Sequence, residues 1–184
     1  MVVIDATMLV LLLRPGAGAP RDAKGRPVQH AAERIRHLVK DLGKARSKIL
    51  VPTPALSEAL VRAGVDATQK IIATLNKHSV FRIEPFDTRA AIEVALMTRA
   101  ALESGRSKRD ALKAPWTKIK FDRQIVAIAK VNQATTIYSD DLNLRAIAKR
   151  SNIDVLGLAD LALPPESEQN ELPFPGFPDI EEQG

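Results

Sequence analysis

Hydrophobic positions along the chain follow two periods, and they alternate. Short β-branched runs bounded by turn residues predict strands at "VVI" (2–4), "KILVP" (48–52), "SVFRIEP" (79–85), "TTIYS" (135–139) and "IDVLG" (153–157). Between them, apolar residues recur at helical spacing. This pattern predicts helices over "TMLVLLL" (7–13), Val28 to Leu42, Pro54 to Ala63, Ala67 to Lys77, Thr88 to Glu103, Asp122 to Asn132 and "LNLRAIAKR" (142–150). In the second of these, Ile35, Leu38, Val39 and Leu42 share one face. Strands alternating with helices imply an α/β fold: a parallel sheet of about five strands in a three-layer α/β/α sandwich, covered on both faces.

The Gly/Pro-rich stretch "RPGAGAPRDAKGRP" reads as a loop, and there is no internal repeat. A chain of 184 residues has room for one ordinary domain, placed at residues 1–163. Residues 164–184 carry five of the twelve prolines and are expected to be disordered or loosely docked.

Composition narrows the chemistry. With 45% hydrophobic and 27% charged residues the chain is of the globular class. It has no cysteine, which excludes disulfides, thiol nucleophiles and thiolate metal sites and suits a reducing cytoplasm. The N-terminal apolar run lacks a basic leader and is broken by Asp5 and Thr7. It is also shorter than the roughly 20 residues of a spanning helix, so a soluble cytoplasmic protein is expected. The net charge of +5 conceals an asymmetry: the tail holds six acids and no Lys or Arg. With those six set apart from the chain's 22 acids, the body has 27 basic residues against 16 acidic, or +11. Such a body suits a polyanion such as nucleic acid, or is simply a solvated surface.

In a parallel α/β sheet, ligands gather outside the carboxyl ends of the strands near the topological switch point. Asp5 directly follows the first strand, and Asp140 and Asp141 directly follow "TTIY". Glu58 and Asp122 sit on helices otherwise rich in apolar residues. Each acid also has a structural reading. Asp5 can cap the helix after it, and Glu58 can pair with Arg62 one turn on. Asp122 fits an N-cap, with Phe121 and Val126 as a hydrophobic staple, and Asp140 or Asp141 can cap the last helix. Clustered carboxylates without a basic partner raise one another's pKa, whereas a hard divalent cation makes the cluster tolerable. An all-oxygen site suits Mg²⁺ or Mn²⁺, and on a basic body the fitting substrate is a phosphodiester.

Other chemistries lack their residues. His30, His37 and His78 do not have the spacing of a zinc pair, and no glycine belongs to a GxxxxGK[ST] loop. There is no GxSxG elbow, and Thr7 stands where a haloacid-dehalogenase-like pattern needs its second aspartate.

Taken in order, "VVIDATML", "TPALSEAL", "FDRQIVAIAK" and "IYSDDLNL" resemble the PIN domain, and within it the VapC-type toxins of toxin–antitoxin pairs. The resemblance spans residues 1 to about 160. It implies a Mg²⁺- or Mn²⁺-dependent endoribonuclease leaving 5′-phosphate and 3′-hydroxyl ends, an antitoxin partner and a homodimer. By the same resemblance Asp5, Glu58, Asp122 and Asp141 are the catalytic, metal-holding acids, with Thr7 in support. Many members end on T-N-D-x-D-F. Against that pattern Ser139 lies on the threonine, Asp140 on the variable position and Asp141 on the invariant acid. Asn143 stands where many members have a further aspartate. Adjacent residues leaving a strand point to opposite sides, so this register gives Asp141 to the metal and leaves Asp140 as the cap or a supporting acid.

A basic segment leads into Asp122. Arg106, Lys108, Arg109, Lys113, Lys118, Lys120 and Arg123 are placed to hold phosphates, and Trp116 to stack a base. The alternative is a solvated loop with Trp116 packed inward. At the level of function, a non-catalytic PIN-like module binding RNA or protein competes with the nuclease, and a structure-specific DNA nuclease ranks behind both.

Overall fold

Five short strands pair side by side, every neighbour parallel, in the order β3-β2-β1-β4-β5. They are β1 (Val2–Ile4), β2 (Ile49–Pro52), β3 (Phe81–Glu84), β4 (Thr136–Tyr138) and β5 (Asp154–Leu156). The computed structural model describes residues 1–14, 18, 20–21, 25–103 and 116–165, and the expected acidic tail beyond 165 lies outside them. Seven helices are described: α1 (Ala6–Leu13), α2 (Ala31–Lys44), α3 (Thr53–Ala63), α4 (Val65–Lys77), α5 (Thr88–Glu103), α6 (Trp116–Val131) and α7 (Leu142–Arg150). None of the described helices is long and apolar enough to cross a membrane.

Strand alternation divides the core into two layers. Val2 and Ile4 of β1, with Ile49 and Val51 of β2, face a cluster built with α1, α2, α3 and α4. Val3, Leu50 and Ile137 point the other way, into a cluster with α6 and α7. α5 packs outside α6 through Ala90, Ala127 and Ile128. This is the expected three-layer α/β/α arrangement.

Local sequence explains the boundaries. α1 is apolar all round, and seven of its eight residues are buried, as a helix without a polar face must be. α2 buries only Ala31, Ile35 and Val39, one stripe at spacing four. Gly64 separates α3 from α4 at φ 85°, a backbone conformation open to glycine and costly for a side chain. One boundary departs from the sequence expectation. α6 begins at Trp116, six residues before Asp122, so Asp122 lies within the helix and cannot be its N-cap. The buried stripe of α6 runs Ile119, Asp122, Val126, Ala129. An acid inside an apolar stripe reads, from sequence alone, as the place where the stripe starts.

The order β3-β2-β1-β4-β5 has one topological switch point. From β1 the chain winds outward to β2 and β3, then returns to pair β4 with the opposite edge of β1. The carboxyl ends of β1 and β4 therefore open side by side, with Ile4 in register with Tyr138.

Candidate active site

Asp5 and Ser139 are the first residues beyond those two strand ends, and the pairing presses them together. The Asp5 N–H donates to the Tyr138 carbonyl at 3.2 Å. The Ser139 hydroxyl, wholly buried, donates to Asp5 Oδ2. Asp5 Oδ1 accepts from the Met8 N–H at 2.9 Å and so caps α1. Both carboxylate oxygens are thus oriented by the chain. Burial pushes the Asp5 carboxyl up to about 6; the Met8 and Ser139 hydrogen bonds oppose it, and the nearby charges of Asp140 and Asp141 add to it. Thr7, expected to support this acid, is half-buried and has no hydrogen bond to it among the described residues. Ser139 fills that place.

Asp141 is the N-cap of α7: its Oδ1 accepts from the N–H groups of Asn143 at 2.7 Å and Leu144 at 3.2 Å. Its own N–H donates to Ser139 Oγ at 3.0 Å, which ties it to the Asp5 side of the cleft. Asp140 was expected as the cap or a supporting acid, and the cap falls to Asp141 instead. The residue just before a helix has its carboxylate within reach of the first N–H groups, whereas Asp140 is one residue too early. Asp140 instead accepts from the Leu158 N–H at 3.0 Å, fastening β4 to the 3₁₀ turn Leu158–Asp160 beyond β5. The backbone of Gly157 runs so close that a Cβ there would lie 2.5 Å from Asp140 Oδ1. Asn143 contributes its backbone N–H to the cap.

Asp122 comes in from α6. It is buried, and its Oδ2 has no hydrogen-bond partner among the described residues. Burial pushes its carboxyl up to about 7, the charge of Asp141 adds to this, Lys118 opposes it, and Asp5 and Glu58 contribute further. The charges of Asp141, Asp5 and Glu58 thus all act on Asp122, and Asp5 and Asp141 are joined through Ser139. Glu58, on α3, is exposed, and its Oε1 pairs with Arg62 as the sequence allowed.

The residue that sequence reasoning undervalued is Lys118. Its Nζ lies 2.5 Å from Asp141 Oδ2, and the charges of Asp122 and Glu58 also act on it. The hydrogen bond to Asp141 raises the Lys118 pKa. Burial would lift Asp141, but the Lys118 ammonium and the cap N–H groups outweigh it and hold Asp141 below the usual carboxylate range. The signal was available: Lys118 is four residues before Asp122, one turn along the same helix face.

The donor set suits a hard divalent cation in kind. It is all oxygen, burial and neighbouring acid charges raise the pKa of Asp5 and Asp122, and Asp122 Oδ2 is buried and unpartnered among the described residues. The spacing is less closed. Among the described residues no three His, Asp or Glu side chains stand together tightly enough to hold an ion, and an ammonium rests on Asp141.

No protein-family model matches the sequence, and no curated protein does either. Solved structures match the fold, among them two VapBC complexes. One chain of VapBC2 from Rickettsia felis, bound to a DNA fragment from their promoter, has a TM-score of 0.56 at 13% identity, covering 85% of this chain and 98% of its own. One chain of DNA-bound VapBC from Salmonella typhimurium has a TM-score of 0.52 at 16% identity, covering 85% of this chain and 97% of its own. The fold is PIN-like. At these identities the likeness is one of architecture, and what the acids do rests on their own chemistry.

The expected phosphate-holding residues divide. Arg106, Lys108, Arg109 and Lys113 lie outside the described residues, as does the side chain of Trp116. Lys118 is engaged with Asp141, and Lys120 is exposed near the start of α6. Arg123 donates to Thr98 Oγ1 at 2.9 Å and joins α6 to α5. A groove lies elsewhere, between α3 and α4, lined by Leu56, Leu60, Val61, Val65 and their neighbours.

Proposed function

We propose that the chain is a divalent-metal-dependent endoribonuclease with a small antitoxin protein as partner. One observation carries this reading. Asp5 and Asp141 are tied through Ser139 at the switch point of a PIN-like fold, the charge of Asp141 acts on Asp122, and the buried Asp122 has a carboxylate oxygen without a partner among the described residues. Asp5, Asp122 and Asp141, with Glu58 at the rim, would hold Mg²⁺ or Mn²⁺. When bound, such an ion supplies Lewis-acid stabilisation of the phosphodiester and acidifies water for in-line attack. The chain's own part is positioning. Ser139 and the Met8 N–H hold both oxygens of Asp5, and the first N–H groups of α7 hold Asp141. Basic side chains at the start of α6 would meet backbone phosphates. The antitoxin and the RNA substrate are supported by the company the fold keeps in the VapBC structures and by the basic body.

The test is cleavage of single-stranded RNA with Mn²⁺, an EDTA control, and the Asp5→Asn and Asp141→Asn variants. Asparagine keeps the capping geometry at both positions and removes the charge. Undiminished cleavage by both variants would sink the assignment, and a parallel DNA substrate distinguishes the two polymers. A non-catalytic binding module is the second reading, favoured by the Lys118–Asp141 and Glu58–Arg62 pairs, which consume acid charge internally. Calorimetric titration with Mn²⁺ separates the two, since no binding at millimolar ion leaves only the module.

A further inference from the structure

We propose that Lys118 is a resident counter-ion of the acid cluster, holding Asp141 in the metal-free protein and setting the affinity for a divalent cation, which has to displace it. This rests on the metal-site reading above and adds to it a residue that opposes the metal.

Three observations converge. Lys118 Nζ stands 2.5 Å from Asp141 Oδ2, joining α6 to the cap of α7 across the cleft. It is one helical turn from Asp122, the acid whose buried oxygen has no other partner among the described residues. Its side chain is 49% exposed, so its stem has open solvent to move into when released. Two other basic groups have partners other than Asp141: Arg62 pairs with Glu58 at the rim, and Arg145 with Asp160. A single ammonium on a flexible stem is a weak and reversible substitute for a divalent ion. Partly exposed ion pairs contribute at most about 1 kcal/mol, so an arriving cation can break this one.

The experiment is Mn²⁺ titration by calorimetry of the full chain in three forms: wild type, Lys118→Met and Lys118→Arg. Lys118→Met keeps the stem and removes the charge, and it is expected to bind Mn²⁺ about three- to tenfold more tightly than wild type. Lys118→Arg, which keeps a cation on the cleft, is expected to stay within about twofold of wild type. Thermal melts in EDTA supply a second readout. Lys118→Met should melt below wild type when metal-free and lose that deficit at saturating Mn²⁺. Equal affinity of wild type and Lys118→Met, or tightening by Lys118→Arg as large as by Lys118→Met, overturns the counter-ion role and leaves the metal site standing. If no form binds Mn²⁺, the metal site and the counter-ion role fall together.

Discussion

Replacing Asp122 by Asn should stabilise the metal-free protein by an amount that grows from about pH 4 and levels off above about pH 7. The folded chain holds the Asp122 proton up to about pH 7, while an unfolded aspartate releases it near the ordinary value of 3.8. Between those two values the folded state binds the extra proton, so stability falls as pH rises through that window. Each pH unit is worth about 1.4 kcal/mol, which sets an upper bound of about 4 kcal/mol at pH 8. Solvent screening at the open side of the cleft reduces this, so about 2–4 kcal/mol is the expected difference between Asp122→Asn and wild type at pH 8. At pH 4.5 only about 1 kcal/mol of that difference should be present. For a chain of this size the difference at pH 8 is on the order of 5–10 °C in Tm. The assay is urea unfolding or thermal melting in EDTA at pH 4.5, 6, 7 and 8. Asp5, held up to about 6, contributes a slope common to both proteins, and their difference isolates Asp122. Saturating Mn²⁺ should reverse the order, since ion binding at 100 times Kd stabilises wild type by about 2.7 kcal/mol. Parallel pH profiles in EDTA would refute the reasoning, because they would mean that Asp122 ionises freely and the acids are not crowded.

Other expectations follow from the caps and the close approach at Gly157. Asp141→Ala should lose the α7 cap, costing about 1 kcal/mol and a few degrees of Tm, while Asp141→Asn keeps stability and loses cleavage. If Asp141→Asn cleaves like wild type, Asp141 is only a cap. Asp141→Asn should also reduce activity more than Asp140→Asn, since Asp140 Oδ1 is spent on the Leu158 N–H and an amide oxygen can replace it there. Gly157→Ala should destabilise by roughly 1–3 kcal/mol in chemical denaturation, because its Cβ would meet Asp140 Oδ1 at 2.5 Å. An unchanged midpoint would show that the turn yields at no cost.

Hydrophobic periodicity alone determined the order of strands and helices and the parallel, doubly covered sheet. Period two and period 3.6 are local properties, and burial on both faces enforces them in every element. α5 and α7 match their expected limits of 88–103 and 142–150 because apolar stripe and flanking residues agree. The placement of Asp5 and of Asp140 and Asp141 just past strand ends was legible for the same reason. Which of two adjacent acids caps α7 was not, since that depends on the first helical residue to within one position. Asp122 was misread as a helix start because a buried carboxylate breaks the apolar stripe that marks a helix interior. Only the tertiary structure decided that β1 and β4 are neighbours, that Ser139 bonds Asp5, and that Lys118 reaches Asp141. Each of these joins elements distant in sequence, and its energy depends on burial and on charges that local patterning does not encode.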